Sequence, residues 1–208
     1  MSARRIYVDI DDVLARTIER LIDLLEMTHD RRVDVEDVLH FDLGRSFGLR
    51  EDEIRALMAR ANSDEVMESI RPVEGAVAAL GSWAREGHSV SLVTGRPPTT
   101  NAASRRWLAR HDIAHDSLHH LDKWGRPTWN EAGLPVLQFG ELAEMQFDFA
   151  VEDNLDTAVR LIEEYDIPVA LMDRPWNRDW SGVPQETQSG MQRCRGWGEV
   201  AEVFARRA

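Results

Sequence analysis

The run Arg5, Ile6, Tyr7, Val8 passes directly into Asp9, Ile10, Asp11 and Asp12, and no other stretch limits the possible folds so tightly. A short β-branched and aromatic run suits an inner strand of a parallel sheet, buried on both faces. Its carboxylates then stand at the carboxyl end of the strand, where open α/β sheets bind their ligands. Paired aspartates at such a mouth suit magnesium and phosphate chemistry. The same string also fits a solvated turn whose later acid caps a helix, and metal-dependent glycosyl transfer uses such a pair too. Its companions along the chain decide.

Residues 15–70 carry a helical pattern, with Ile18, Leu21, Ile22 and Leu25 at one spacing and Ile54, Leu57 and Met58 at another. Between them, 39–49 reads as a loop with two aromatics and two glycines. After Gly75 the rhythm alternates: helix 76–86, strand 89–93, helix 102–111, strands 117–121 and 147–151, helix 155–165, strand 168–172 and a closing helix 199–207. This grammar predicts an α/β fold, a doubly wound, Rossmann-like parallel sheet. The core domain comprises 1–14 and 74–208. A small helical cap, 15–73, is inserted after the first strand and lies over the carboxyl edge, where caps exclude water and contact substrate. The stretch 124–146, with Pro127, Gly133, Pro135 and Gly140, resists assignment and is placed as part of the substrate wall.

A chain of 208 residues with 43% hydrophobic content can build one sizeable core. No apolar stretch approaches about 20 residues and no signal-peptide pattern is seen, so a cytoplasmic protein without membrane association is expected. Cys194 is the only cysteine, which leaves no partner for an intramolecular disulfide. A net charge of −12 argues against binding duplex nucleic acid, which depends on basic surface. A small anionic substrate stays compatible where a cation and a few basic residues reverse the local field. Of 25 basic residues all but Lys123 are arginine, which marks Lys123 as a candidate for a position needing a compact point charge.

The strand ends supply the companions. Thr94, Gly95 and Arg96 follow the second strand, offering a hydroxyl, a backbone amide and a guanidinium to phosphate oxygens; a plain turn held by Thr94 would read alike. Lys123 falls after the third strand. Glu152 and Asp153 close the fourth, where acids also suit the start of a helix. Together these residues form one chemically complete set: nucleophile, acid, hydroxyl, ammonium and metal carboxylates. His111, His115, His119 and His120 cross a helix end, a loop and a strand, a spacing that does not put their rings on one face for zinc.

In chain order, Asp9-x-Asp11, Thr94, Lys123 and Glu152-Asp153 resemble the four motifs of the haloacid dehalogenase superfamily of phosphohydrolases. Within it the chain looks most like the 5'(3')-deoxyribonucleotidase-type group, through the helical cap, the Pro-Val-x-Gly-Ala return at 72–76 and Glu152-Asp153-Asn154. Asp12 stands where many relatives carry glycine. A response-regulator receiver shares the residue types, but its acidic pair comes early, and here Glu152-Asp153 comes last. The resemblance implies magnesium-dependent hydrolysis of a small phosphomonoester through an aspartyl-phosphate on Asp9. It makes Asp11 the acid that protonates the leaving group and then the base for water, and makes Thr94 and Lys123 the phosphate cradle. Magnesium falls to Asp9, the backbone carbonyl of Asp11, Asp153 and, through a water, Glu152. Gly95, Arg96 and the aromatic faces of Phe41 and Phe47 are then expected at a nucleoside monophosphate, with 174–178 bordering the site. A monomer or homodimer is expected. Another phosphorylated metabolite as substrate, or a non-catalytic module binding a phospho-ligand, remains open on these residues.

Overall fold

Ile6, Tyr7 and Val8 are fully buried because β1 (Arg5–Val8) lies in the middle of a six-stranded sheet. The computed structural model of the protein describes residues 2–125 and 129–207; Pro127 lies outside them. β2 (Ser89–Thr94), β3 (Ser117–His120), β4 (Phe149–Glu152), β5 (Val169–Met172) and β6 (Met191–Cys194) complete the order β3-β2-β1-β4-β5-β6, with every pairing parallel. All strands therefore deliver their carboxyl ends to one edge.

Strand alternation feeds two cores. Ile6 and Val8 of β1 pack on one face with Val90, Leu92, Trp107, Trp197 and Phe204, whereas Tyr7 packs on the other with Val93, Ala150, Leu161 and Leu171. The helices are α1 (Thr17–His29), α2 (Leu43–Phe47), α3 (Glu51–Ala61), α4 (Asp64–Ser69), α5 (Ala76–Arg85), α6 (Asn101–Arg110), α7 (Leu142–Met145), α8 (Leu155–Tyr165), α9 (Gln185–Gly190) and α10 (Trp197–Arg206). α5, α6 and α10 cover the first face; α7 and α8 contribute to the second.

α1 to α4 hold a third apolar cluster that includes Ile18, Leu21, Leu25, Val38, Phe47 and Leu57. The chain enters and leaves this helical unit side by side: Ala15 pairs antiparallel with Pro72, Arg16 N donates to Arg71 O at 2.9 Å, and Val73 N donates to Leu14 O at 2.7 Å. Contacts from α4 and the residue after it to α6 hold it on one side, through Arg106 to Asp64 and Glu68 and through Trp107 Nε1 to Ile70 O at 2.7 Å. Among the described residues no helix is long and apolar enough to cross a membrane.

Three details differ from the sequence expectation. The stretch 39–49 contains α2, because Asp42 caps it by accepting from Arg45 N at 3.1 Å and Gly48 ends it at φ 60. The fourth strand begins two residues later than 147, at Phe149, and runs through Glu152. β6 was not foreseen, because Gln192 and Arg193 interrupt its apolar pattern; only Met191 and Cys194 face inward on this edge strand. Burial pushes the Cys194 thiol up to about 11, so the thiolate that reacts with disulfide reagents is scarce. At pH 8 a colorimetric disulfide reagent should leave the native protein's thiol untouched over minutes and titrate one thiol per chain once urea unfolds it.

Candidate active site

Lys123 reaches from the turn after β3 across the sheet edge, and its Nζ donates to Asp9 Oδ1 at 2.9 Å and to Glu152 Oε1. All three side chains are almost wholly inaccessible to solvent. Burial opposes the charge on Lys123, but Asp9 and Glu152 outweigh it and hold the ammonium protonated. Glu152 is fully engaged: Oε1 also accepts from Tyr7 Oη at 3.0 Å, while Oε2 accepts from Asp153 N at 2.8 Å and Asn154 N at 3.1 Å. The cap of α8 is Asn154, which accepts from Thr157 N at 2.8 Å, so the acids before it are not needed for that task.

Asp9, Glu152 and Asp153 bring one carboxylate oxygen each to within 4.8 Å of one another. Burial, reinforced by the neighbouring carboxylates, pushes Asp9 and Asp153 above the usual carboxylate range, Lys123 notwithstanding. Such a set of hard oxygen donors, short of positive charge, fits a divalent cation. Asp9 and Asp153 are the ligand candidates, since each has one oxygen bonded to a protein donor and a second to offer. Glu152 is the third acid of the group, its oxygens already accepting from Lys123, Tyr7 and the Asp153 and Asn154 amides.

Asp11 faces elsewhere. Its carboxylate accepts from Arg96 Nε at 3.0 Å, from Arg96 Nη2 at 2.7 Å and from Thr17 Oγ1 at 2.5 Å. Burial would raise its pKa, but the guanidinium prevails and holds the carboxyl below its ordinary value. The guanidinium therefore favours the ionised carboxylate. Arg96 was expected against substrate; instead it is buried, with Nη1 also directed at Ser104 Oγ at 3.3 Å. Asp12 sits at φ 54, in the left-handed region, and its carboxylate accepts from Ile18 N at 3.0 Å at the start of α1.

Thr94 ends β2 fully buried, its Oγ1 accepting from Arg96 N at 3.2 Å. The indole of Trp124 lies over Gly95 so closely that any Cβ there would collide with the ring. Phe41, from the helical unit, meets Trp124 with ring centroids 5.3 Å apart and is 43% exposed. Phe47 is not at the site. It is buried in the helical unit's own core with Ile18, Leu21 and Leu57, so its expected substrate contact is withdrawn. Sequence reasoning also missed Tyr7 and the specific role of Trp176, whose Nε1 donates to Asp153 Oδ2 at 2.9 Å. A tyrosine inside a buried strand needs a partner for its hydroxyl, and that signal was available.

Removing the single ammonium isolates buried carboxylates, a change that typically costs about 3–5 kcal/mol. Without divalent cations, Lys123→Met should therefore lose about 3 kcal/mol of stability in urea denaturation followed by circular dichroism. A loss within 0.5 kcal/mol, roughly the scale of a surface change, would contradict the charge balance described.

A sequence model of the family described as 5' nucleotidase, deoxy (pyrimidine), cytosolic type C protein matches residues 3–121. A Halalkalibacterium halodurans protein named as a putative nucleotidase is 25% identical over 175 residues, covering 84% of this chain and 82% of the relative. Among solved structures, a protein from Clostridium acetobutylicum described as a phosphatase superposes with a TM-score of 0.65 at 11% identity, covering 99% of this chain and 100% of that one. A haloacid dehalogenase family hydrolase from Deinococcus radiodurans, solved with bound phosphate and sodium, gives 0.64 at 13%, covering 99% and 96%. At these identities the solved structures speak for the fold, and the family match speaks for descent. The chain belongs to the cytosolic type C 5'-deoxynucleotidase family, within the haloacid dehalogenase superfamily of phosphatases.

Proposed function

We propose that the protein hydrolyses a nucleoside 5'-monophosphate, with Asp9 as nucleophile and a magnesium ion held by Asp9 and Asp153. The observation that carries this reading is the buried Asp9–Lys123–Glu152–Asp153 cluster at the carboxyl edge of the sheet. A bound magnesium ion would supply charge neutralisation for the phosphoryl group. Lys123 bonds Asp9 Oδ1 and so fixes the rotation of the carboxylate that attacks. The Asp9 carboxylate displaces the alkoxide at phosphorus, giving an aspartyl-phosphate that water then cleaves, so one difficult displacement becomes two. Thr94 and the Gly95 amide stand at the neighbouring strand end to donate to phosphoryl oxygens.

Asp11 serves the second half-reaction directly, because its ionised carboxylate can take a proton from water. Donating a proton to the leaving oxygen in the first half requires that carboxylate to take up a proton against its pairing with Arg96. Phe41, exposed and packed on the half-buried Trp124, gives a planar base a stacking surface. The family's description puts deoxynucleotides, and pyrimidines among them, first in the search for the substrate.

A phosphate-release screen with magnesium over deoxynucleotides, ribonucleotides, sugar phosphates and p-nitrophenyl phosphate tests the reading. Turnover should be highest on a nucleoside monophosphate, and EDTA should abolish it. Asp9→Asn should cut turnover at least about a thousandfold without lowering the melting temperature; retained activity would remove Asp9 from its role. Base stacking contributes roughly 1–3 kcal/mol, so Phe41→Ala should raise KM for the nucleotide about tenfold. The same change should leave KM for glycerol 2-phosphate, which has no ring, where it was.

A further inference from the structure

The segment 174–178, just after β5, touches three parts of the molecule at once. Arg174 Nε donates to the carbonyl of Asp12 at 3.0 Å, in the loop that follows β1. Asn177 Nδ2 donates to Asp153 O and to Met172 O, both at 2.7 Å, fixing the backbone beneath the acidic cluster. Arg178 pairs with Glu36, in the turn Val35–Asp37 of the helical unit, at 2.5 Å. Between them Trp176 has two attachments. Its ring packs against the apolar core of α1 to α4, and its Nε1 donates to Asp153 Oδ2.

The second attachment has a chemical consequence. A donor bonded to one carboxylate oxygen fixes the rotation of the group and so decides which oxygen faces the other acids; such outer partners commonly tune metal affinity. Here the donor belongs to a side chain whose ring also packs on the helical unit. A shift of that unit therefore bears on the indole, and through its Nε1 on the Asp153 carboxylate.

We infer that Trp176 is a positioning residue through which the seating of the cap sets the orientation of Asp153, so that cation binding and cap closure favour one another. The inference rests on the divalent-cation reading above. By thermodynamic reciprocity, if a seated cap strengthens cation binding, the cation must steady the cap to the same degree.

Both halves can be measured without turnover. Calorimetric titration of magnesium into the substrate-free protein should give a Kd about tenfold weaker for Trp176→Phe, which keeps a ring but loses the donor. Hydrogen exchange at saturating magnesium should slow in α1 and α3 of the wild type, and this slowing should vanish in the variant. If Trp176→Phe does not fold, Trp176→Leu removes the same donor with different packing. Equal affinity in wild type and variant overturns the inference alone, as does slowing that survives the substitution. A wild-type protein that binds no magnesium overturns both the inference and the cation reading.

Discussion

One ammonium group holds the centre of this molecule together. Lys123 stands between Asp9 at the end of β1 and Glu152 at the end of β4, where two like charges about 4 Å apart repel by about 4 kcal/mol at an effective dielectric near 20. Without that cation, neighbouring strands could not end in buried acids. With it the cluster is still short of positive charge, which is why Asp9 and Asp153 lie above the ordinary carboxylate range. A lysine suits this role because its compact charge sits on a flexible stem and can serve two acids from one point. The planar fork of an arginine would need a wider gap.

The parallel sheet makes the arrangement possible, and much of it was legible in the residues. β1 and α8 fall where the apolar runs put them, because inner parallel strands and amphipathic helices write strong patterns. Asp9, Lys123, Glu152 and Asp153 were legible as a group because each follows a strand, and parallel strands share an edge. β6 was not, since an edge strand with two inward residues carries little signal. Nor was α2, whose five residues are too few for a periodic pattern.

Side-chain pairing was the harder part. Phe41 and Phe47 look alike in the sequence, yet one is exposed against Trp124 and the other fills the core of the helical unit. Their difference lies in which face of a short helix and its preceding loop turns inward, a tertiary fact that local spacing does not encode. Arg96 likewise reads as a phosphate contact from its place after Thr94 and Gly95. Its actual partner, Asp11, is 85 residues away in the chain.

Asp9 and Asp11 thus bond to different cations, Lys123 and Arg96, although one residue separates them. Ile10 between them is wholly buried, and the chain then turns through the left-handed conformation of Asp12. That turn is costly for most side chains but milder for aspartate, whose short carboxylate can bond locally; here it bonds the first turn of α1 at Ile18 N. The residue that bends the acidic loop is therefore also the one that sets where the cap begins. Arg174, which follows β5 at the same sheet edge, grips the carbonyl of the same residue. Cap and acidic cluster are consequently fastened to each other at both ends of the site, at Asp12 after β1 and at Trp176 after β5. A cap tied only by its two connecting strands could swing without disturbing the acids. These added ties join the helical unit to the backbone and side chains of the acidic cluster.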